Sequence, residues 1–255
     1  PTGLSASNLV GATLAVARGV DSNRDTGNRK GCPYKFSEFF MAKTVLLTGG
    51  TGLIGTRLTE LLQQKGYAVG LLVRDSTPKD RIPPGVSTYV WDVRRGQIDD
   101  RALGAADHLI HLAGAGIADE RWTDERKKEI LESRTQSAAL LAKTLKKLDH
   151  RPDSFVSSSA IGYYGADTGP EYMSEQYTPG LDFMAEVCVA WEAAADEVAA
   201  LGVRTVKLRT GIVLSEKGGA LAKLAAPIRY GAGAPLASGK QYQSWIHLDD
   251  LCRMY

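Results

Sequence analysis

A chain of 255 residues that is 44% hydrophobic and 24% charged has the length and apolar content for one large α/β domain with a sizeable core, which excludes a disordered or fibrous chain. Five of its 31 basic and three of its 29 acidic side chains stand before residue 41, leaving 26 of each in the remainder; a neutral body argues against nucleic acid or an anionic membrane as partner, because both reward clustered positive charge. No apolar run approaches the ~18 residues of a membrane helix, and the three cysteines, Cys32, Cys188 and Cys252, are odd in number and far apart, so neither a disulfide framework nor a metal site is indicated and a reducing, cytoplasmic compartment is expected.

Residues 1–40 scatter Gly, Ser, Asn, Thr and Arg without helical or strand period, and Met41 stands directly before the first apolar run. They read as a leader or disordered tail; the alternative is an organelle-targeting segment, since the stretch is Ser- and Arg-bearing and has no acid before Asp21. Residues 41–255 then form the folded domain.

Its first element is Val45-Leu-Leu-Thr-Gly49-Gly-Thr-Gly52-Leu-Ile-Gly55, a strand that breaks into three glycines spaced three residues apart and resumes as an amphipathic helix on Leu58, Leu61 and Leu62. Gly49 permits the tight bend, and Gly52 lets a pyrophosphate approach the helix's free N–H groups, with Thr51, Leu53 and Ile54 beside it. Gly55 lets helix and strand pack closely. This is the pattern of a dinucleotide-binding turn. A second strand over 68–73 ends at Val73 and Arg74, where an acid binds the 2′-OH of NAD and an Arg suits the extra phosphate of NADP; Arg74 favours NADP, with Asp75 next to it as the opposing signal.

Further strands are expected over 86–92 and 107–113, the latter ending in the small residues Ala113 and Gly114. His108 and His111 lie three apart, on opposite faces of a strand, so each reads as a satisfied core or sheet-end histidine and not as half of a metal site. A long helix follows from an N-cap at Thr123 to Leu148, with Glu129, Ser133 and Arg134 near its middle. The strand over 155–160 carries Ser157, Ser158 and Ser159 at its end, followed by Gly162-Tyr163-Tyr164-Gly165; hydroxyls at a carboxyl strand end are what a substrate site shows. A helix over about 181–201, a strand over 203–208, a turn over 209–213, a Gly/Ala/Pro-rich loop from Gly231 to Gly239 and a helix starting at Leu248 complete the chain. Six alternations of strand and helix predict a doubly wound parallel sheet.

Taken together, the glycine turn, Leu112-Ala113-Gly114, Ser157-Ser-Ser-Ala160 and Trp245-Ile-His-Leu-Asp-Asp250 resemble the extended short-chain dehydrogenase/reductase superfamily. Arg121-Trp122, Glu132-Ser133-Arg134, Gly162-Tyr-Tyr-Gly165, Trp191-Glu192 and Leu208-Arg-Thr-Gly-Ile-Val-Leu214 narrow the likeness to its atypical "epimerase family protein" subgroup. The resemblance covers residues 44–255. It implies an NADP-binding Rossmann fold with cofactor contacts at the glycine turn, Val73, Arg74, Leu112, Ala113, Gly114, Glu129, Arg134 and Val213. It also implies a substrate lobe, represented here around 165–180 and 215–245 and expected to continue past residue 255.

Active members of that superfamily carry a Tyr-x-x-x-Lys pair, in which the lysine lowers the tyrosine pKa for proton exchange. Registered on Trp191-Glu192, those positions fall at Met184 and Cys188. Ser159 matches the superfamily serine, and Tyr163 or Tyr164 offers a phenol from a different place. Two functions follow as expectations: an oxidoreductase or epimerase acting with NADP on a small carbonyl or sugar-like substrate, or a catalytically weak NADPH-binding sensor or interaction protein.

Overall fold

The computed structural model describes residues 42–148, 150–234 and 239–255; the expected leader, Met41 and residues 235–238 of the Gly/Ala/Pro-rich loop lie outside the described residues. From β1 (Thr44–Thr48) the chain passes through the glycine turn into α1 (Leu53–Gln64), then β2 (Ala68–Val73), β3 (Ser87–Asp92), a short β4 (Gln97–Ile98), α2 (Asp100–Gly104) and β5 (His108–His111). It continues with α3 (Asp124–Lys147), β6 (Ser154–Ala160), α4 (Phe183–Ala199), β7 (Arg204–Thr210), β8 (Ile212–Ser215), β9 (Gly218–Gly219), α5 (Ala220–Arg229), β10 (Trp245–His247) and α6 (Leu248–Met254).

The main sheet runs β4-β3-β2-β1-β5-β6-β7, parallel throughout except for the edge strand β4, which pairs antiparallel with β3. The chain winds outward from β1 to β3, returns to β5 beside β1, and winds outward the other way. The topological switch point therefore lies between β1 and β5, where the carboxyl ends of two strands part and leave a crevice. Alternation along the strands divides the core: Leu46, Leu109 and Phe155 face α2, α3 and α4 through Leu103, Leu141 and Ala195, whereas Val45, Leu47, Ile110 and Val156 face α1 and α6 through Leu58, Leu62 and Leu248. Each fully buried Leu or Phe contributes about 1.5–3 kcal/mol, so both faces of the sheet are anchored and the doubly wound expectation is met.

The helices begin where their caps dictate. Thr123 accepts from Arg126 N–H (3.2 Å) to open α3, and Asp182 accepts from Ala185 N–H (2.9 Å) to open α4. His108 and His111 do point to opposite faces, toward Ser154 and toward Thr48 and Ser137 respectively.

The structure departs from the sequence expectations in several places. The strand predicted over 107–113 stops at His111: the N–H of Leu112 is shared between the Thr48 carbonyl (3.3 Å) and Thr48 Oγ1 (3.1 Å), and that of Ala113 goes to Thr48 Oγ1 alone (3.1 Å). Residues 209–213, expected as a turn, are the end of β7 and the start of β8. That strand belongs to a second, three-stranded sheet of order β10-β8-β9. A helix, α5, precedes the Gly/Ala/Pro-rich loop despite Pro227 inside it. Among the described residues no helix is long and apolar enough to cross a membrane.

Candidate cofactor crevice and hydroxyl cluster

The three glycines of the first turn do different work. Gly49 has φ +68°, and a side chain there would lie 2.9 Å from the Leu112 carbonyl carbon, so the turn after β1 presses directly on the chain leaving β5. At Gly55 a Cβ would sit 2.3 Å from the Gly49 carbonyl oxygen and 2.6 Å from Gly50 Cα, which is the close packing of α1 on the turn. Gly52 is different: its φ of −84° suits any residue and a Cβ would meet nothing nearer than the Gly49 carbonyl at 3.4 Å. The fold itself does not demand glycine at position 52. Gly52 is the N-cap of α1, gives no side-chain cap, and no acid stands in the first turn, so the N–H groups of Leu53 and Ile54 and the positive end of the helix dipole remain available to an anion.

Facing this turn across the crevice, the strand-end segment 112–114 is held by a buried polar relay. Thr48 Oγ1 accepts from Leu112 and Ala113 N–H, so its own proton goes to His111 Nδ1 (2.7 Å). That leaves His111 Nε2 protonated and donating to Ser137 Oγ (3.1 Å), which donates to the Ser133 carbonyl (2.7 Å). Burial, with the Arg134 charge adding to it, pushes His111 down to about 4, so the ring is neutral near pH 7.

The remaining expected cofactor contacts fall into two sets. Val73 is buried at the end of β2; Arg74 beyond it is exposed, and its guanidinium makes no hydrogen bond or ion pair with a described residue. Val213, in β8, packs in the same cluster as Leu53, Ile54 and Leu112. Arg134 and Glu129, by contrast, are engaged by the protein. Arg134 is buried, donates to the carbonyls of Ile130 (2.8 Å) and Ala115 (3.0 Å), and lies over the Trp191 ring at 5.0 Å. A Cβ on Gly114 would be 3.1 Å from its Cζ. Glu129 pairs with Arg126 (2.6 Å), whose other nitrogen donates to the Gly116 carbonyl (2.6 Å). Both residues therefore shape the loop 114–116 that borders the crevice.

At the carboxyl end of β6 the three serines take three directions. Ser157 Oγ donates to the Ser158 carbonyl, Ser158 Oγ and Tyr255 Oη are hydrogen-bonded to each other (2.5 Å), and Ser159 Oγ donates to Glu192 Oε1 (2.6 Å). Glu192 reaches β6 from α4 and is held by Arg209 of β7 in a two-pronged ion pair, Nε to Oε1 at 2.8 Å and Nη2 to Oε2 at 2.9 Å. Its side chain is 8% exposed and that of Arg209 17%. Burial alone would raise Glu192, but the bonds from Arg209 and Ser159 outweigh it and hold the carboxyl below its usual range. Arg209 Nη1 also donates to Tyr164 Oη (3.0 Å), and its guanidinium stacks 3.4 Å over the Tyr163 ring. Ser159, Tyr163 and Tyr164 are thus brought together, through Glu192 and Arg209.

Met184 and Cys188 stand one turn apart on α4 beside Gly162, where a Cβ would lie 3.3 Å from Met184 Cβ and 3.6 Å from Cys188 Sγ. Burial pushes the Cys188 thiol up to about 11, so it is uncharged near neutrality. Glu192 and Arg209 were absent from the residues expected in the site. The signal for them was a charge on the otherwise apolar face of α4, four residues after Cys188, and an arginine closing the strand over 203–208.

A doubly wound sheet with an uncapped glycine turn at its switch point, and a hydroxyl cluster two strands away, defines a Rossmann-type protein of the extended reductase and epimerase architecture. The chain belongs to the NAD dependent epimerase/dehydratase family, whose model matches residues 45–255. It is 34% identical to the epimerase family protein SDR39U1 of Mus musculus over 81% of this chain and 67% of that protein. Among solved structures, it resembles a nucleoside-diphosphate sugar epimerase from Corynebacterium glutamicum (36% identity, TM-score 0.70, 84% of this chain). A similar likeness holds to the human epimerase family protein SDR39U1, isoform 2, solved with NADPH (35% identity, TM-score 0.67, 82% of this chain and 67% of that one). The chain spans 43% of the length of the corynebacterial protein.

Proposed function

We propose that the crevice binds NADP(H) and that the protein is an oxidoreductase or epimerase acting on a small carbonyl or sugar-like substrate. The observation that carries the chemical half of this reading is the unbroken hydrogen-bonded chain Ser159–Glu192–Arg209–Tyr164 at the carboxyl end of β6. The residues fit the cofactor: Gly52 keeps open a cradle that a Cβ would fill, the start of α1 is uncapped, and Arg74 is a cation at the end of β2 without a partner among the described residues. The likeness to a human relative solved with NADPH agrees. The bound nicotinamide would supply hydride exchange.

The side chains have defined proton roles. Because Tyr164 Oη accepts from Arg209, its own proton is free to pass to a substrate oxygen, and the phenolate left behind faces the guanidinium. Ser159 has spent its single proton on Glu192, so it offers lone pairs and accepts from a substrate hydroxyl, in place of the donor that polarising a carbonyl would require. Tyr163 covers one face of the Arg209 guanidinium. A sensor reading stands beside this one on a specific observation: an uncharged Cys188 and Met184 occupy the positions registered to the tyrosine and lysine pair.

Single-turnover NADPH oxidation with a panel of aldehydes, ketones and nucleotide sugars separates the two. Tyr164→Phe should lose ~10²-fold or more in rate with NADPH affinity kept, Ser159→Ala should lose as much only with substrates that carry a hydroxyl beside the carbonyl, and Tyr163→Phe should lose less. Equal rates in all four proteins would contradict the assignment of Tyr164. NADPH binding without turnover of any substrate by the parent would favour the sensor.

A further inference from the structure

Beyond β7 the chain turns back over the crevice. β8 and β9 form a hairpin, Leu214 opposite Gly219 and Ser215 opposite Gly218, whose tip is Glu216 and Lys217. Gly219, with φ +75°, can take no side chain without strain, and a Cβ there would be 3.1 Å from Leu53 Cδ2, at the first residue of α1. Immediately afterwards, Lys223 of α5 donates to the Ala118 carbonyl (3.1 Å), in the loop that follows β5. Residues 216–223 therefore reach both sides of the switch point, Gly219 at the start of α1 and Lys223 at the loop after β5.

Between this strap and the start of α1 lies a cleft of about 330 Å³, bounded by Thr51, Gly52, Leu53 and Thr56 on one side and by Lys217 and Gly218 on the other. Its other charges are already matched: Arg57 holds Asp249 with two bonds (2.7 and 3.1 Å) and Glu60 with one (2.8 Å). Lys217 makes no ion pair with a described residue. An anion at the uncapped end of α1 would thus meet, among the described residues lining the cleft, one unmatched cation, and it would come from the strap.

We propose that Lys217 is the counter-charge to the cofactor's pyrophosphate, and that residues 216–223 are a strap that closes over it; the proposal rests on the NADP(H) reading above. The diphosphate bridge carries two negative charges, of which the helix end offsets about half of one. An ammonium on the strap supplies a full charge from the opposite side, where backbone N–H groups do not reach. The same contact would fasten the hairpin to a bound dinucleotide, which ties cofactor occupancy to the position of Val213 and of the small sheet.

The test is NADPH titration by calorimetry of the parent, Lys217→Ala and Lys217→Arg at two salt concentrations, with hydrogen exchange of residues 216–223 measured with and without NADPH. The expected results are a loss of about tenfold in affinity for Lys217→Ala, near-parental binding for Lys217→Arg, a shallower salt dependence in Lys217→Ala, and slower exchange of the strap in the NADPH complex of the parent. Lys217 is exposed, so equal melting temperatures will show that the variants fold. Lys217→Ala binding as tightly as the parent would overturn the strap while leaving the cofactor reading in place. A parent that does not bind NADPH would overturn that reading and the strap with it.

Discussion

Arg74 is one exposed side chain at the end of β2, and its isolation is what gives it meaning. A guanidinium with no carboxylate partner among the described residues is free to take a phosphate in a charge-assisted, two-pronged contact. Such a contact gives ~1.4 kcal/mol or more of discrimination, a factor of ten. NADPH is therefore expected to bind at least tenfold more tightly than NADH, and Arg74→Ala to erase the difference; fluorescence titration with both nucleotides checks it, and equal parental affinities would contradict it. Arg134 and Glu129 show the opposite case. Their charges lie in a sequence pattern that resembles a cofactor-binding family, yet their partners are Ala115, Ile130 and Arg126. Those bonds place both side chains at the loop 114–116, on the border of the crevice.

Three elements, β1, β5 and α3, hang on His111, which links Thr48 to Ser137 through its two ring nitrogens. Its pKa lies at about 4 in the folded protein against 6.5 ordinarily. Below pH 6.5 the unfolded chain takes up a proton that the folded chain refuses, so stability falls as pH drops from 6.5 toward 4, by about 3 kcal/mol over the full interval. Urea unfolding at pH 7.5, 6 and 5 should show this slope in the parent and a smaller one in His111→Asn, which starts from lower stability; equal slopes would contradict the assignment. The main elements were legible in the sequence because each carries its own signal: apolar runs for the strands, Thr123 for the start of α3, glycine spacing for the turn before α1. The strands β8 and β10 were not, because each is three or four residues long and their pairing depends on contact between residues distant in sequence. That contact is close: a Cβ on Gly211, just before β8, would lie 2.8 Å from the carbonyl oxygen of Ser244, just before β10. The partners of Ser159 were hidden for the same reason, since Glu192 and Arg209 meet it only once α4 and β7 are packed on β6.

Across the whole molecule, the described residues divide labour along the carboxyl edge of the sheet. The side between β1 and β5 offers backbone N–H groups, a helix end and a strap with Lys217; the side of β6 and β7 offers hydroxyls on a buried ion pair. Removing either partner would leave the other charge unpaired and largely desolvated, so Glu192 and Arg209 serve the fold as well as the cluster. The arrangement asks for a dinucleotide at one point above all, Gly52, where the protein's own packing has room for a side chain and a pyrophosphate would not. Calorimetric titration of NADPH into the parent and Gly52→Ala, with the melting temperature of each, is the most direct measurement. The parent is expected to bind, and Gly52→Ala to melt within a few degrees of it, because φ of −84° and a 3.4 Å contact are both ordinary and only the weaker N-cap of alanine counts against it, while losing affinity by about tenfold or more. A Gly52→Ala protein that binds NADPH as the parent does, or a parent that does not bind it, would contradict the assignment of this turn to a dinucleotide.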